Sequence, residues 1–154
     1  MVEIGQMAPD AAFDLTDGTR GTVADWCGKM LVVYFYPKDD TPGCTKEAQG
    51  FTALMPEFDR AGVAVLGISK DSVASHNKFA TKYGLAVTLG SDSDGSMCDA
   101  FGVWVEKSMY GKKYMGIERT TFAIDADGKI AQIWPKVKVP GHAESVLEWV
   151  KTAR

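Results

Sequence analysis

The chain has 154 residues, 45% apolar and 24% charged, with a net charge of -3, which suits one globular domain over residues 1–154 with a core of its own. Basic residues are scattered, densest at Lys136 to Lys138, so nothing favours nucleic acid, and no apolar run is long enough to cross a bilayer. The stretch Met1 to Pro9 lacks the basic start and apolar run of a secretory signal, so a cytoplasmic location is expected.

In chain order, alternation around Phe13 to Leu15 ends at an Asp17-Gly18 turn. Leu31-Val-Val-Tyr-Phe-Tyr36 is an unbroken apolar run, read as a buried central strand that Pro37 stops. After the loop Lys38-Asp39-Asp40, Thr41-Pro42 marks a helix start, with Thr41 as cap and Pro42 at the first helical position. That helix is predicted from about Pro42 to Ala61, kinked at Pro56 and broken by Gly62. Val63 to Ser69 reads as a second buried strand, Ser72 to Tyr83 as a helix, Ala86 to Leu89 as a short strand and Gly95 to Phe101 as a short helix. Ser91 to Gly95 lacks the closing glutamate of a calcium loop and reads as a turn. Gly102 to Gly116 has no clear period and reads as a long loop, whose aromatics, Trp104, Tyr110 and Tyr114, could present an interface. Glu118 to Asp125 and Lys129 to Trp134 flank an Asp127-Gly128 hairpin turn, His142 to Thr152 closes the chain as a helix, and Lys136 to Lys138 is read as an exposed edge. Strands alternating with helices, then a terminal hairpin and helix, predict an α/β thioredoxin-like fold: a mixed central sheet with helices on both faces.

Three cysteines, at 27, 44 and 98, are too few and too oddly numbered for a disulfide framework. With no Cys-x-x-Cys pair, and with His76 and His142 remote in sequence from each cysteine, no metal site and no cofactor are expected. Cys44 is the informative one. It falls in the first turn of a helix directly after a buried strand, where unpaired backbone N–H groups and the positive end of the helix dipole favour an anion. Attack by such a thiolate on an O–O bond needs fixed donors aimed at both oxygens, because charge builds on the departing one. Gly43 offers an N–H and close backbone approach, the Cys44 N–H is adjacent, and the Thr41 hydroxyl lies three residues earlier. Pro37 and Pro42 stiffen the loop, and Arg119 is the candidate distant cation.

These residues carry a resemblance. Pro37-x-x-x-Thr41-x-x-Cys44 is similar to the active-site signature of the peroxiredoxins, and Thr41-Pro-Gly-Cys-Thr-x-Glu-Ala48 resembles the subgroup called PrxQ or bacterioferritin comigratory protein. Further matches span nearly the whole chain, among them Tyr34-Phe-Tyr-Pro37, Gly67-Ile-Ser69, Phe101-Gly-Val-Trp104 and Arg119-Thr-Thr-Phe122. The resemblance implies reduction of hydrogen peroxide or alkyl hydroperoxides, with Cys44 peroxidatic and Pro37, Thr41 and Arg119 forming its pocket. It makes Glu47 the acid that hydrogen-bonds around the site; an exposed first-turn carboxylate favoured by the helix dipole stands equally beside it. It also implies a sulfenic acid on Cys44 that condenses with a second thiol to a disulfide, reopened by thioredoxin, glutaredoxin or a small thiol, in a monomer or weak homodimer.

The chain departs from the family where many members carry a resolving cysteine: those positions are Gln49 and Ala80 here. Either an external thiol resolves the sulfenic acid in a one-cysteine cycle, or Cys98 or Cys27 takes over, which would need local unfolding. Two other classes stay open on sequence grounds, a thiol–disulfide exchanger and a binding or chaperone module on an inactivated redox fold. The lack of a second cysteine near Cys44 argues against the first. The joint presence of Pro37, Thr41, Cys44 and Arg119 argues against the second.

Overall fold

The structure is a computed structural model that describes residues 2–153. The two end residues of the predicted domain, Met1 and Arg154, lie outside the described residues. Its centre is a seven-stranded mixed sheet. In chain order the strands are β1 (Ala12–Leu15), β2 (Arg20–Thr22), β3 (Met30–Phe35), β4 (Val63–Ser69), β5 (Thr88–Ser91), β8 (Thr120–Ile124) and β9 (Ile130–Trp134). They lie side by side as β2-β1-β5-β4-β3-β8-β9. β3, β4 and β5 are parallel, joined by crossover helices α1 (Pro42–Arg60) and α2 (Val73–Tyr83), and the outer pairs are antiparallel. α3 is Ser96–Phe101 and α4 is His142–Thr152.

The central run is buried on both sides because its side chains alternate between two cores. Leu31, Val33 and Phe35 pack with Phe13, Ile68, Phe101 and Phe122, the face that α3 covers. Val32, Tyr34 and Tyr36 pack with Phe51, Phe58, Phe79 and Val146, the face that α1, α2 and α4 cover. Tyr34 lies opposite Gly67, and a Cβ at Gly67 would come within 2.6 Å of its ring. Only glycine leaves room for this ring, which stacks on Phe51 with centroids 4.7 Å apart and supports α1 from below.

Several predicted boundaries shift. α1 runs unbroken through Pro56 to Arg60, and the strand predicted at Ala86 to Leu89 is found two residues later, in register with β4. Residues 102–116, predicted as loop, contain a separate hairpin, β6 (Trp104–Met109) and β7 (Lys112–Ile117). Its strands are solvated along most of their length, so no apolar alternation marks them. The turn itself carries a signal: Tyr110 and Gly111 both have positive φ, 52° and 78°, the backbone a tight hairpin demands. β2 and the short 3-10 turn Val23–Trp26 also have no counterpart in the sequence reading. Lys136 to Lys138 is not a sheet edge but a connection from β9 to α4, held where the Val137 N–H donates to the Arg119 carbonyl, 2.8 Å. No helix among the described residues is long and apolar enough to cross a membrane.

Candidate active site

The site forms where the parallel strands end and α1 begins. Pro37 stops β3 and is exposed, and the loop through Lys38, Asp39 and Asp40 leads to Thr41, extended at φ -100° just before Pro42 at the head of the helix. The sequence predicted Thr41 as the cap, but its side chain does not cap the helix. Its hydroxyl donates instead to the Lys38 carbonyl, 2.9 Å, and its carbonyl accepts the Thr45 N–H. With proline carrying no N–H, the Gly43 and Cys44 N–H groups are those left at the helix mouth.

Cys44 sits there, 2% exposed, with Tyr34, Tyr36 and Phe51 in its core cluster. Apolar packing is not its only environment. Arg119, on the link between β7 and β8, directs Nη2 to the Cys44 Sγ at 3.3 Å and Nη1 to Glu47 Oε1 at 2.6 Å. A planar guanidinium can serve both acceptors at once, as an ammonium could not with the same fixed geometry. Gly43 makes room for it: a Cβ there would stand 3.3 Å from Nη2. Its lack of a side chain thus serves the arginine directly.

Glu47 is not an exposed first-turn carboxylate. It is 2% exposed, and its Oε2 has no hydrogen-bond partner among the described residues. Burial raises its carboxyl to about 7, although the Arg119 charge pulls it down. For Arg119, burial opposes the charge, but Glu47 and Cys44 outweigh it and its value is raised. Glu47 and Gly43 also line a cavity of about 510 Å³ between α1 and the start of α4, with Pro42, Val139 and Ala143 among its apolar walls. The missed hairpin adds Lys107, whose amine is lowered by burial and by the nearby Arg119 charge.

Gln49, exposed, and Ala80, half-buried, carry no thiol. Cys98 is fully buried on α3, in the core across the sheet from Cys44. Burial and Asp92 raise its thiol well above the ordinary value. Cys27 is exposed before β3, at the end of that strand opposite to Cys44. His142 is buried, its Nε2 2.8 Å from the Thr121 hydroxyl, and burial lowers it to about 4.

A thioredoxin-like sheet with a thiol at a helix mouth, faced by a guanidinium, fits the class of thiol peroxidases. Residues 4–133 match the AhpC/TSA family. A Coxiella burnetii protein named putative peroxiredoxin bcp is 53% identical over 146 residues, 95% of this chain and 97% of that one. Peroxiredoxin Bcp of Escherichia coli is 45% identical over 150 residues, 97% and 96% of the two chains. A solved structure of the Xanthomonas campestris bacterioferritin comigratory protein, described for its alkyl peroxide reduction activity, is 48% identical with a TM-score of 0.92, covering 98% of this chain and 99% of that one. The chain belongs to the AhpC/TSA family and is a peroxiredoxin of the Bcp, or PrxQ, kind.

Proposed function

We propose that the chain reduces hydrogen peroxide and alkyl hydroperoxides through Cys44 in a one-cysteine cycle. The observation that carries this reading is the Arg119 Nη2 contact on the Cys44 sulfur at a helix mouth, a cationic donor set beside the sulfur where a peroxide oxygen would gather charge. The thiolate attacks one peroxide oxygen in line, an S–O bond forms, the O–O bond breaks, and the departing oxygen takes a proton from solvent to leave as water or alcohol. Arg119 and the Gly43 and Cys44 N–H groups offset charge on the oxygens. Thr41 Oγ1, its proton spent on Lys38, accepts from the peroxide O–H. Pro37 and Pro42 hold the loop rigid, and Glu47 holds the guanidinium in plane.

The product is a sulfenic acid on Cys44. An external thiol condenses with it, releasing water and leaving a mixed disulfide, and a second thiol reopens that bond. Thioredoxin, glutaredoxin or a small thiol fits this chemistry. Because Cys44 is nearly sealed, the first turn of α1 must open before a bulky thiol can reach it. Support for an external thiol comes from the empty resolving positions and from the location of Cys98 across the sheet.

Peroxide-treated protein, trapped with a sulfenic-acid reagent and mapped by mass spectrometry without reductant, tests the cycle. The adduct is expected on Cys44. A Cys44–Cys98 disulfide forming at the rate of turnover would replace the one-cysteine cycle with a two-cysteine one.

A further inference from the structure

The Thr41 hydroxyl is aimed by a single peptide group. The Lys38 carbonyl accepts its proton at 2.9 Å, and the N–H on the other side of that same peptide, from Asp39, donates to Asp71 Oδ2 at 2.8 Å. A peptide is planar, so whatever fixes its N–H fixes its carbonyl. Asp71 is itself held: Ser69 Oγ donates to the same Oδ2 at 2.6 Å, and Ser91 Oγ donates to the Asp71 carbonyl at 2.6 Å. Behind the peptide, the buried Asp39 carboxylate accepts from the Tyr36 hydroxyl, 2.6 Å, and from the Ser75 hydroxyl, 2.8 Å. His76, 0% exposed, lies with Nδ1 2.7 Å from Asp39 Oδ2 and Nε2 3.0 Å from the Gly90 carbonyl.

Asp39, Asp71 and His76 approach one another within 4.8 Å, and both Asp39 oxygens, Asp71 Oδ2 and both His76 ring nitrogens are engaged with this loop and these strands. These bonds make the cluster a hydrogen-bond network on the loop before α1. Burial pushes the Asp39 carboxyl up, yet its bonds from His76 and Tyr36 outweigh burial and keep it below the usual range. The network joins the ends of β3, β4 and β5 to the one peptide that orients Thr41.

We infer that Asp71, backed by the Asp39–His76 pair, is a positioning residue for peroxide reduction: it locks the Lys38–Asp39 peptide plane and so points the lone pairs of Thr41 Oγ1 at the incoming peroxide. This rests on the role of Thr41 in the proposed reaction. A misaim of about 1 Å can cost about 100-fold in rate, so a remote carboxylate can matter without touching substrate.

The test is a cycle of Asp71→Ala and Thr41→Val, each variant measured for Cys44 oxidation by hydrogen peroxide and for Cys44 alkylation by iodoacetamide. Alkylation needs the thiolate but not the Thr41 acceptor. Asp71→Ala is expected to slow oxidation about 10-fold or more and alkylation by less than about two-fold. In the Thr41→Val background the same change should add less than about two-fold, because the two residues act as one unit. Asp71→Asn, which keeps an acceptor oxygen, should recover most of the loss. If Asp71→Ala does not fold, Ser69→Ala, which removes the hydroxyl steadying Asp71, should show the same pattern at smaller size. Equal losses in both Thr41 backgrounds, or alkylation falling with oxidation, would overturn the inference and reduce the network to scaffold. A Thr41→Val protein oxidised at the wild-type rate would instead remove Thr41 from the reaction.

Discussion

A methyl group on residue 43 would crowd the guanidinium that hydrogen-bonds the Cys44 sulfur. The Cβ position lies 3.3 Å from Arg119 Nη2, tight enough that the guanidinium must give way. Gly43 is in the first turn of α1 and is not at positive φ, so the backbone accepts alanine, which favours a helix by up to about 1 kcal/mol. Gly43→Ala is therefore expected to hold or raise thermal stability while lowering the rate of Cys44 oxidation about 10-fold, read by differential scanning calorimetry and stopped-flow fluorescence. Activity and stability falling together would show that the glycine serves the fold. Arg119→Ala should lower peroxide reactivity about 100-fold or more, since it removes the cation from sulfur and departing oxygen together. The backbone of residue 119 stays pinned by the Val137 N–H, so its circular dichroism should match wild type. An unchanged rate would take Arg119 out of the mechanism. The placement of Cys44 in the first turn of a helix, after Pro37 and Thr41-Pro42, was legible in the sequence because a proline-ended apolar run and a Thr-Pro start mark those elements, and Arg119, named there as the candidate cation, lies 3.3 Å from the Cys44 sulfur. The burial of Glu47 was not legible, because a first-turn carboxylate looks the same in sequence whether water or a guanidinium faces it. Asp39, Asp71 and His76 were equally hidden: three separate segments make that network, and no local pattern joins them.

At the scale of elements, long periodic or unbroken apolar segments were read well. β3, β4, α2 and α4 fall within a residue or so of expectation, because each presents a continuous apolar run or stripe to a core. The β6–β7 hairpin escaped because it buries little, and its exposed Met109, Tyr110 and Met115 follow no period. It is fastened at its base, where Lys70 lies 4.0 Å over the Trp104 ring. α3 matters for a different reason: it carries Cys98 to the far face of the sheet, its N–H bonded to the Asp92 carboxylate at 2.8 Å. Cys98→Ala should leave the rate of Cys44 oxidation and steady-state turnover unchanged while costing about 1 kcal/mol in urea unfolding through lost packing. Turnover that stalls after one cycle in this variant would make Cys98 the resolving thiol.

For the whole molecule, two buried groups set opposing pH dependences. The Glu47 carboxyl rises from 4.5 to about 7 on folding, so its protonated form contributes stability that is complete below 4.5 and is lost as pH rises through about 7. His142 falls from 6.5 to about 4, so its contribution is complete above 6.5 and is lost as pH falls through about 4. Between 4.5 and 6.5 the two slopes oppose each other. Glu47→Gln removes the falling one, and its stability in urea titrations should climb more steeply with pH than that of wild type over that window. Parallel curves would mean that Glu47 is ionised throughout. All of this architecture converges on a single sulfur at the mouth of α1, and stopped-flow consumption of hydrogen peroxide by wild type and Cys44→Ser tests it most directly. The wild-type protein should consume about one equivalent rapidly in the absence of reductant and the serine variant none on that timescale; equal consumption by both would contradict the account.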